Sequence, residues 1–180
     1  LDYAILVALP QELENMDNVF YTGVGKVNAT RVATEVICKH RPKIIINYGT
    51  AGSFKKDLSG LVKCTSFVQH DMDATAQGFA PGETPFESNS EVIVNEHNDG
   101  YRCGSGDRFV TSAVAVDCDV VEMEAYGIAK VARHYKTPFL CYKFISDNAD
   151  ESAADDWVEM CSQGSKLFKE KLKEIANAYN

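Results

Sequence analysis

Three acidic groups in this chain could do chemistry, and each lies beside an apolar run. Glu12 stands just behind "YAILVALP" (Tyr3–Pro10), Glu122-Met123-Glu124 open a helical pattern, and Ser146-Asp147 follow "FLCYKFI". A small-residue stretch, Gly49-Thr50-Ala51-Gly52, follows another apolar run. Taken singly, each has a plain local reading. "SDNAD" is good turn and N-cap chemistry, Glu12 fits a first helical turn, and acids at a helix start are favoured by the dipole and free N–H groups. Taken together they fit a sharper one. Cleaving an N-glycosidic bond to a purine needs an acid for the base nitrogen, a base to prepare water and a group that holds the ribose. A carboxylate accepts two hydrogen bonds, which matches a vicinal diol. Negative charge favours an oxocarbenium-like transition state. Crowded carboxylates raise at least one pKa, which keeps one acid protonated near neutral pH.

Such residues need a scaffold that gathers distant segments. Tyr3–Pro10 and Lys43–Tyr48 read as buried parallel strands, and Val19–Lys26 as a strand ending in a glycine turn. "QELENM" starts a helix or helical turn. Lys26–His40 places Ala29, Val32, Ala33, Val36 and Ile37 on one helical stripe, and Pro42 stops it. "LVKCTSFVQ" and "SEVIVNE" read as strands, and Gly78–Asn89 as an exposed Pro- and Gly-containing loop. "VVEMEAYGIAKVARHY" carries Val121, Ala125, Ile128, Ala129, Ala132 and Tyr135 at helical spacing, Phe139–Ile145 is a strand, and a last helix from about Ala153 to Tyr179 aligns Val158, Cys161, Phe168, Leu172, Ile175 and Tyr179. This alternation predicts an α/β fold. It is a single-domain three-layer sandwich over residues 1–180, with a central mixed, mostly parallel sheet flanked by helices. Ligands of such sheets bind beyond the carboxyl ends of the strands, where the acidic groups and Gly49–Gly52 fall.

Composition narrows the classes. The 180 residues suit one domain with a sizeable core. A net charge of -8 argues against a nucleic-acid partner, which would need a basic face. No apolar run is long enough to span a bilayer, and no basic segment with an apolar follow-on opens the sequence. A cytoplasmic protein without a membrane partner is the expectation. Six cysteines without a CxxC pair read as reduced thiols. "HDMD" (His70–Asp73) has neither a second histidine nor a fourth ligand at useful spacing, so no metal is expected. Gly23 and Gly25 do not complete G-x-G-x-x-G, because Asn28 takes the last place, and no P-loop is present. No cofactor is expected either.

The motifs "TGVGKVNAT", "INYGTAG", "QHDMDATAQGF", "SGDRF", "VEMEA" and "ISDNAD" occur in order along most of the chain. Together they resemble the 5′-methylthioadenosine/S-adenosylhomocysteine nucleosidase family, within the purine nucleoside phosphorylase fold. "ALPQELE" adds the acidic residue that this family keeps after its first strand. The resemblance implies hydrolysis of a purine nucleoside, most like 5′-methylthioadenosine or S-adenosylhomocysteine, in methionine salvage by a cytoplasmic homodimer without cofactor or metal. It implies that Asp147 protonates adenine N7, with Ser146 holding it, and that Glu12 activates water. Glu124 would bind the ribose hydroxyls and Met123 would lie against the sugar, with Glu122 part of the same motif. Phe109 would stack on adenine and the Val110 backbone would hydrogen-bond to it. Thr50, Ala51 and Gly52 would form a turn near the nucleophile, and Trp157 falls where the family places an aromatic over the base. The alternatives are a nucleosidase for another purine nucleoside or 5′-substituent, a phosphorylase, or a catalytically weak nucleoside-binding protein. Phosphorylases resembling this fold carry an arginine just before the glycine turn to meet phosphate. Asn47-Tyr48-Gly49-Thr50 has none, which favours water.

The chain departs from this family in four places. Met16–Thr22 and Thr111–Val120 are short. Gln77 takes an often aromatic position in Asp73–Phe79, a segment that in the family contacts the 5′-substituent, often across a dimer interface, so another 5′-group is a reading left open. Lys143 stands where an arginine is common, and lysine lacks the planar fork.

Overall fold

The computed structural model describes the backbone of residues 1–179 and the side chains of residues 1–178. The expectation that the Tyr179 side chain continues the last helical stripe lies outside the described residues. In chain order the elements are β1 (Ala4–Val7), β2 (Val19–Tyr21), α1 (Lys26–His40), β3 (Ile45–Gly52), β4 (Leu61–Gln69), β5 (Val92–Ile93), β6 (Tyr101–Ser105), β7 (Val120–Glu122), α2 (Ala125–Tyr135), β8 (Phe139–Asp147) and α3 (Ala153–Tyr179), with a 3₁₀ turn at Thr75–Gln77.

The strands form one mixed sheet of order β2-β1-β3-β7-β6-β4-β5, and β8 pairs both β3 and β4. That double pairing closes β3, β8, β4, β6 and β7 into a ring, so the central layer curls into a barrel with β1–β2 and β5 as extensions. Pairings β1–β2, β1–β3, β3–β8, β4–β6 and β6–β7 are parallel, while β3–β7, β4–β5 and β4–β8 are antiparallel. The sheet is thus mixed and mostly parallel, flanked by helices, in agreement with the α/β expectation.

A parallel strand covered on both faces must be apolar at every position. β1 illustrates this: Ala4 and Leu6 enter the core under α1 and α2, whereas Ile5 and Val7 enter the core under α3. The helical stripe of α1, from Ala29 to Ile37, is buried as its spacing requires. On the other face Phe168 of α3 is fully buried and stacks on Tyr48 of β3, with centroids 4.4 Å apart. Burying such a ring contributes about 1.5–3 kcal/mol. All six cysteines are free, and only Cys38 is exposed.

Several local expectations are corrected. Gln11–Met16 forms no helix, because Glu12 N–H already closes a tight turn onto Leu9 O. The Ser90–Glu96 strand shrinks to Val92–Ile93, and β6 escapes the reading because "YRCGS" offers no apolar run. α2 starts at Ala125, since Val120–Glu122 pair with β6 instead. Thr50, Ala51 and Gly52 are not a turn: β3 continues through them, paired residue by residue with β8. Val158 leaves the buried stripe of α3 and is 69% exposed, because the first turns of that helix run past the sheet and wall a cavity.

Candidate active site

The C-terminal ends of β3, β7 and β8 and the loop after β1 open on one cavity of about 410 Å³. It gathers the twelve residues to which the family resemblance gave a role. Glu12 comes from the β1–β2 loop; Thr50, Ala51 and Gly52 from β3; and Phe109 and Val110 from the loop after β6. Glu122, Met123 and Glu124 come from the β7–α2 junction, Ser146 and Asp147 from β8, and Trp157 from α3. Leu9, Val24, Arg108 and Val158 also line it. Leu9, Val24 and Arg108 lie inside the motifs "ALPQELE", "TGVGKVNAT" and "SGDRF" but receive no role from the resemblance, and the helical spacing places Val158 in a buried stripe.

A register shift aims the acid. Ala51 pairs with Ile145 and Gly52 with Asp147, leaving Ser146 as an extra residue in β8. Such bulges re-aim side chains next to active sites. Gly52 is required here, because a Cβ at that position would collide with the Asp147 carboxylate. Asp147 Oδ1 accepts from Ala149 N–H at 2.8 Å, and Oδ2 from the Ser146 hydroxyl at 2.9 Å. Burial nevertheless pushes the Asp147 pKa above its usual value, against those two hydrogen bonds. Ser146 Oγ also lies 3.4 Å from Ala51 O. Its hydroxyl can therefore donate to the carboxylate, or turn to Ala51 O and accept from the protonated acid.

A second acidic group is built around Lys143 of β8. Its ammonium pairs with Glu122 Oε1 at 2.9 Å, and both side chains are almost wholly excluded from solvent. Burial acts to lower the lysine pKa, but attraction led by Glu122 wins and holds it well above the ordinary value. Glu122 is fully engaged: it accepts from Ser105 Oγ and from the N–H groups of Glu124 and Ala125 as well as from Lys143. It lines the cavity with no spare acceptor, unlike Glu124. Gly49 leaves the room this needs, since a Cβ there would lie 3.1 Å from Lys143 Nζ and 3.3 Å from Glu12 Oε2. The sequence flagged Lys143 only as a departure from family pattern; its pairing partner was not legible.

Glu12 is buried, and its Oε2 accepts from Thr50 N–H at 2.7 Å and from Thr50 Oγ1 at 2.8 Å. Burial pushes its pKa up, opposed by Thr50 and by Lys143. Glu124 Oε2 accepts from Gly25 N–H at 2.8 Å, so the glycine turn before α1 holds a carboxyl group and not a phosphate. Burial and the neighbouring Glu122 push the Glu124 pKa up to about 8. The Trp157 indole N–H donates to Thr50 Oγ1 at 2.6 Å, which commits its polar edge to the Glu12 side. Asn47, at the place where a phosphate-binding arginine would stand, donates to Leu6 O inside the core.

"HDMD" has other work. Asp71 accepts from Lys26 Nζ at 2.7 Å and from Asp107 N–H at 2.8 Å, while Asp107 accepts from Lys26 N–H. Among the described residues no group of three or more His, Cys, Asp or Glu is placed to hold a metal ion. The Asp73–Phe79 segment lines no part of this cavity.

A curled mixed sheet with carboxylates gathered at its strand ends defines a class, and comparison with known proteins agrees. Residues 15–178 match the family described as the phosphorylase superfamily. The 5′-methylthioadenosine/S-adenosylhomocysteine nucleosidase of Staphylococcus haemolyticus is 32% identical over 81% of this chain and 74% of its own length. The aminodeoxyfutalosine nucleosidase of Helicobacter pylori is also 32% identical, over 87% of this chain and 80% of its own length. A crystal structure of a Helicobacter pylori MTAN mutant with 5′-methylthioadenosine in the active site superposes with a TM-score of 0.84 at 25% identity, covering 96% of this chain and 98% of that one. This chain belongs to the 5′-methylthioadenosine/S-adenosylhomocysteine nucleosidase family within the phosphorylase superfamily.

Proposed function

We propose that this chain hydrolyses the N-glycosidic bond of 5′-methylthioadenosine and S-adenosylhomocysteine, releasing adenine and the thioribose. One observation carries the reading: a single cavity holds a buried acid with raised proton affinity, Asp147, and a separate carboxylate, Glu12, with one oxygen pinned by Thr50. Asp147 gives its proton to adenine N7, with Ser146 holding the carboxyl group. The C1′–N9 bond breaks and its electron pair leaves with the base. Water adds to C1′ of the oxocarbenium-like sugar, and Glu12 takes the water's proton. Glu124, whose pKa burial and Glu122 push up to about 8, donates to one ribose hydroxyl and accepts from the other. Met123 supports the sugar, Phe109 stacks on the base, and the Val110 backbone hydrogen-bonds to it. Thr50, Ala51 and Gly52 wall the water side, Trp157 closes the cavity from α3, and Glu122 anchors Lys143.

Water is favoured over phosphate on charge. A dianion would face the Glu12 carboxylate, while Lys143 is already paired with Glu122 and Arg108 lies in an exposed loop. The same proposal treats the chain as one nucleosidase domain, needing no metal or cofactor. It acts as a homodimer in the cytoplasm, within methionine salvage. The free cysteines support a reducing compartment. Exposed Phe86 offers apolar surface for a second copy.

A second reading keeps the chemistry and changes the 5′-group. The cavity rim is formed by half-exposed Val24 and Phe109 and exposed Val158, so this chain alone does not enclose a 5′-substituent. The aminodeoxyfutalosine nucleosidase relative supports that reading. Chromatography of adenine released from 5′-methylthioadenosine, with and without phosphate, tests the proposal. Phosphate-independent release of adenine and methylthioribose is expected. A phosphate-dependent sugar 1-phosphate would move the chain to phosphorolysis, and a higher kcat/KM on aminodeoxyfutalosine would select the second reading.

A further inference from the structure

Between the water-activating carboxylate and helix α3 runs a directed chain of hydrogen bonds. Trp157 Nε1 lies 2.6 Å from Thr50 Oγ1, and Thr50 Oγ1 lies 2.8 Å from Glu12 Oε2. Indole N–H can only donate, and a hydroxyl has one hydrogen to give. The indole therefore occupies an acceptor site of the Thr50 hydroxyl, whose single hydrogen points at Glu12. Thr50 N–H reaches the same Oε2 at 2.7 Å. With both donors on Oε2, Oε1 is the oxygen left to take a proton from water.

We propose that Trp157 is a positioning residue for Glu12: through the Thr50 hydroxyl its indole N–H fixes which carboxylate oxygen is basic and ties the first turns of α3 to the water-activating end of the site. This inference rests on the nucleosidase reading and adds to it a residue that acts through another. The contacts join segments 107 and 38 residues apart in sequence, so no local reading could reveal them. Glu12 is 5% exposed, and in such surroundings successive hydrogen bonds polarise and strengthen one another. A phenylalanine at 157 would fill similar space and line the same cavity, but it has no proton to give. The functional content of Trp157 thus separates into an apolar face and one N–H.

Trp157→Phe, Thr50→Val and the double variant decide the matter. With 5′-methylthioadenosine as substrate, Trp157→Phe should lower kcat about 3- to 10-fold, the weight of one hydrogen bond. KM should move less than about twofold, and the acidic limb of kcat/KM should shift to higher pH because Glu12 loses support for its charged form. In the Thr50→Val background the same change should alter kcat by less than about twofold, as expected for coupled neighbours. An equal drop in both backgrounds, or a rise in KM alone, would overturn the proposal in favour of direct contact with substrate. Trp157 is the only tryptophan, so its indole N–H resonance can be followed without activity. It should titrate with Glu12 in the wild type and stop doing so in Glu12→Gln. An indole signal that ignores Glu12 overturns the relay. A titrating signal in a chain that releases no adenine would instead count against the nucleosidase reading.

Discussion

Lys143 and Val158 mark two contrasting regions around one cavity. Lys143 is 1% exposed, paired with a carboxylate whose every acceptor is in use, and packed where Gly49 leaves space. Val158 is 69% exposed on a helix that has run past its sheet. The buried polar region is over-determined, so each member depends on the others. The rim is open and, Arg108 aside, apolar, so Val24, Phe109 and Val158 contribute area and little else. The proposed function places reaction chemistry in the first region and substrate choice in the second.

The largest break in that contrast is Lys143→Met. It leaves Glu122 buried without its counter-charge and should cost about 3–5 kcal/mol of stability, read by urea denaturation. Adding Glu122→Gln should recover part of that loss, which distinguishes charge from packing. Next comes pH. The Glu124 pKa is raised to about 8, so between the ordinary carboxyl value and pH 8 the folded chain holds a proton that the unfolded chain has lost. That stabilisation is complete at low pH and disappears as pH rises through about 8. Thermal melts at pH 5.5 and 8.5 should therefore show a falling Tm in the wild type. A smaller fall is expected in Glu124→Gln, the difference being about 2 kcal/mol after screening. At the rim the effects shrink. Phe109→Ala should raise KM about tenfold with kcat nearly unchanged, as the loss of one stacked base predicts. Val158→Ser should stay within about 0.5 kcal/mol in stability, the range of ordinary surface changes; a larger loss would show that the rim is packed.

Much of this was legible in the sequence where the signal is local. The stripe Ala29 to Ile37 gave α1, Phe168 to Ile175 gave the docked part of α3, and apolar runs gave β1, β4, the first half of β3 and most of β8. Ordered motifs located the residues that line the cavity. Non-local pairings were not legible. β6 exists because β4 and β7 flank it, not because "YRCGS" is apolar. Thr50–Gly52 looked like a turn because small residues usually mark one, yet here Gly49 and Gly52 let a strand pass beside Glu12 and Asp147. The bonds from Gly25 to Glu124 and from Trp157 to Thr50 join residues 99 and 107 apart, where no spacing rule applies.

The central claim is that Asp147, the last residue of β8, is the acid. Turnover of 5′-methylthioadenosine by Asp147→Asn, alongside its circular dichroism and Tm, tests this most directly. The account predicts a kcat lowered about 10²- to 10⁴-fold with the fold intact. A folded Asp147→Asn variant that turns over like the wild type would contradict it.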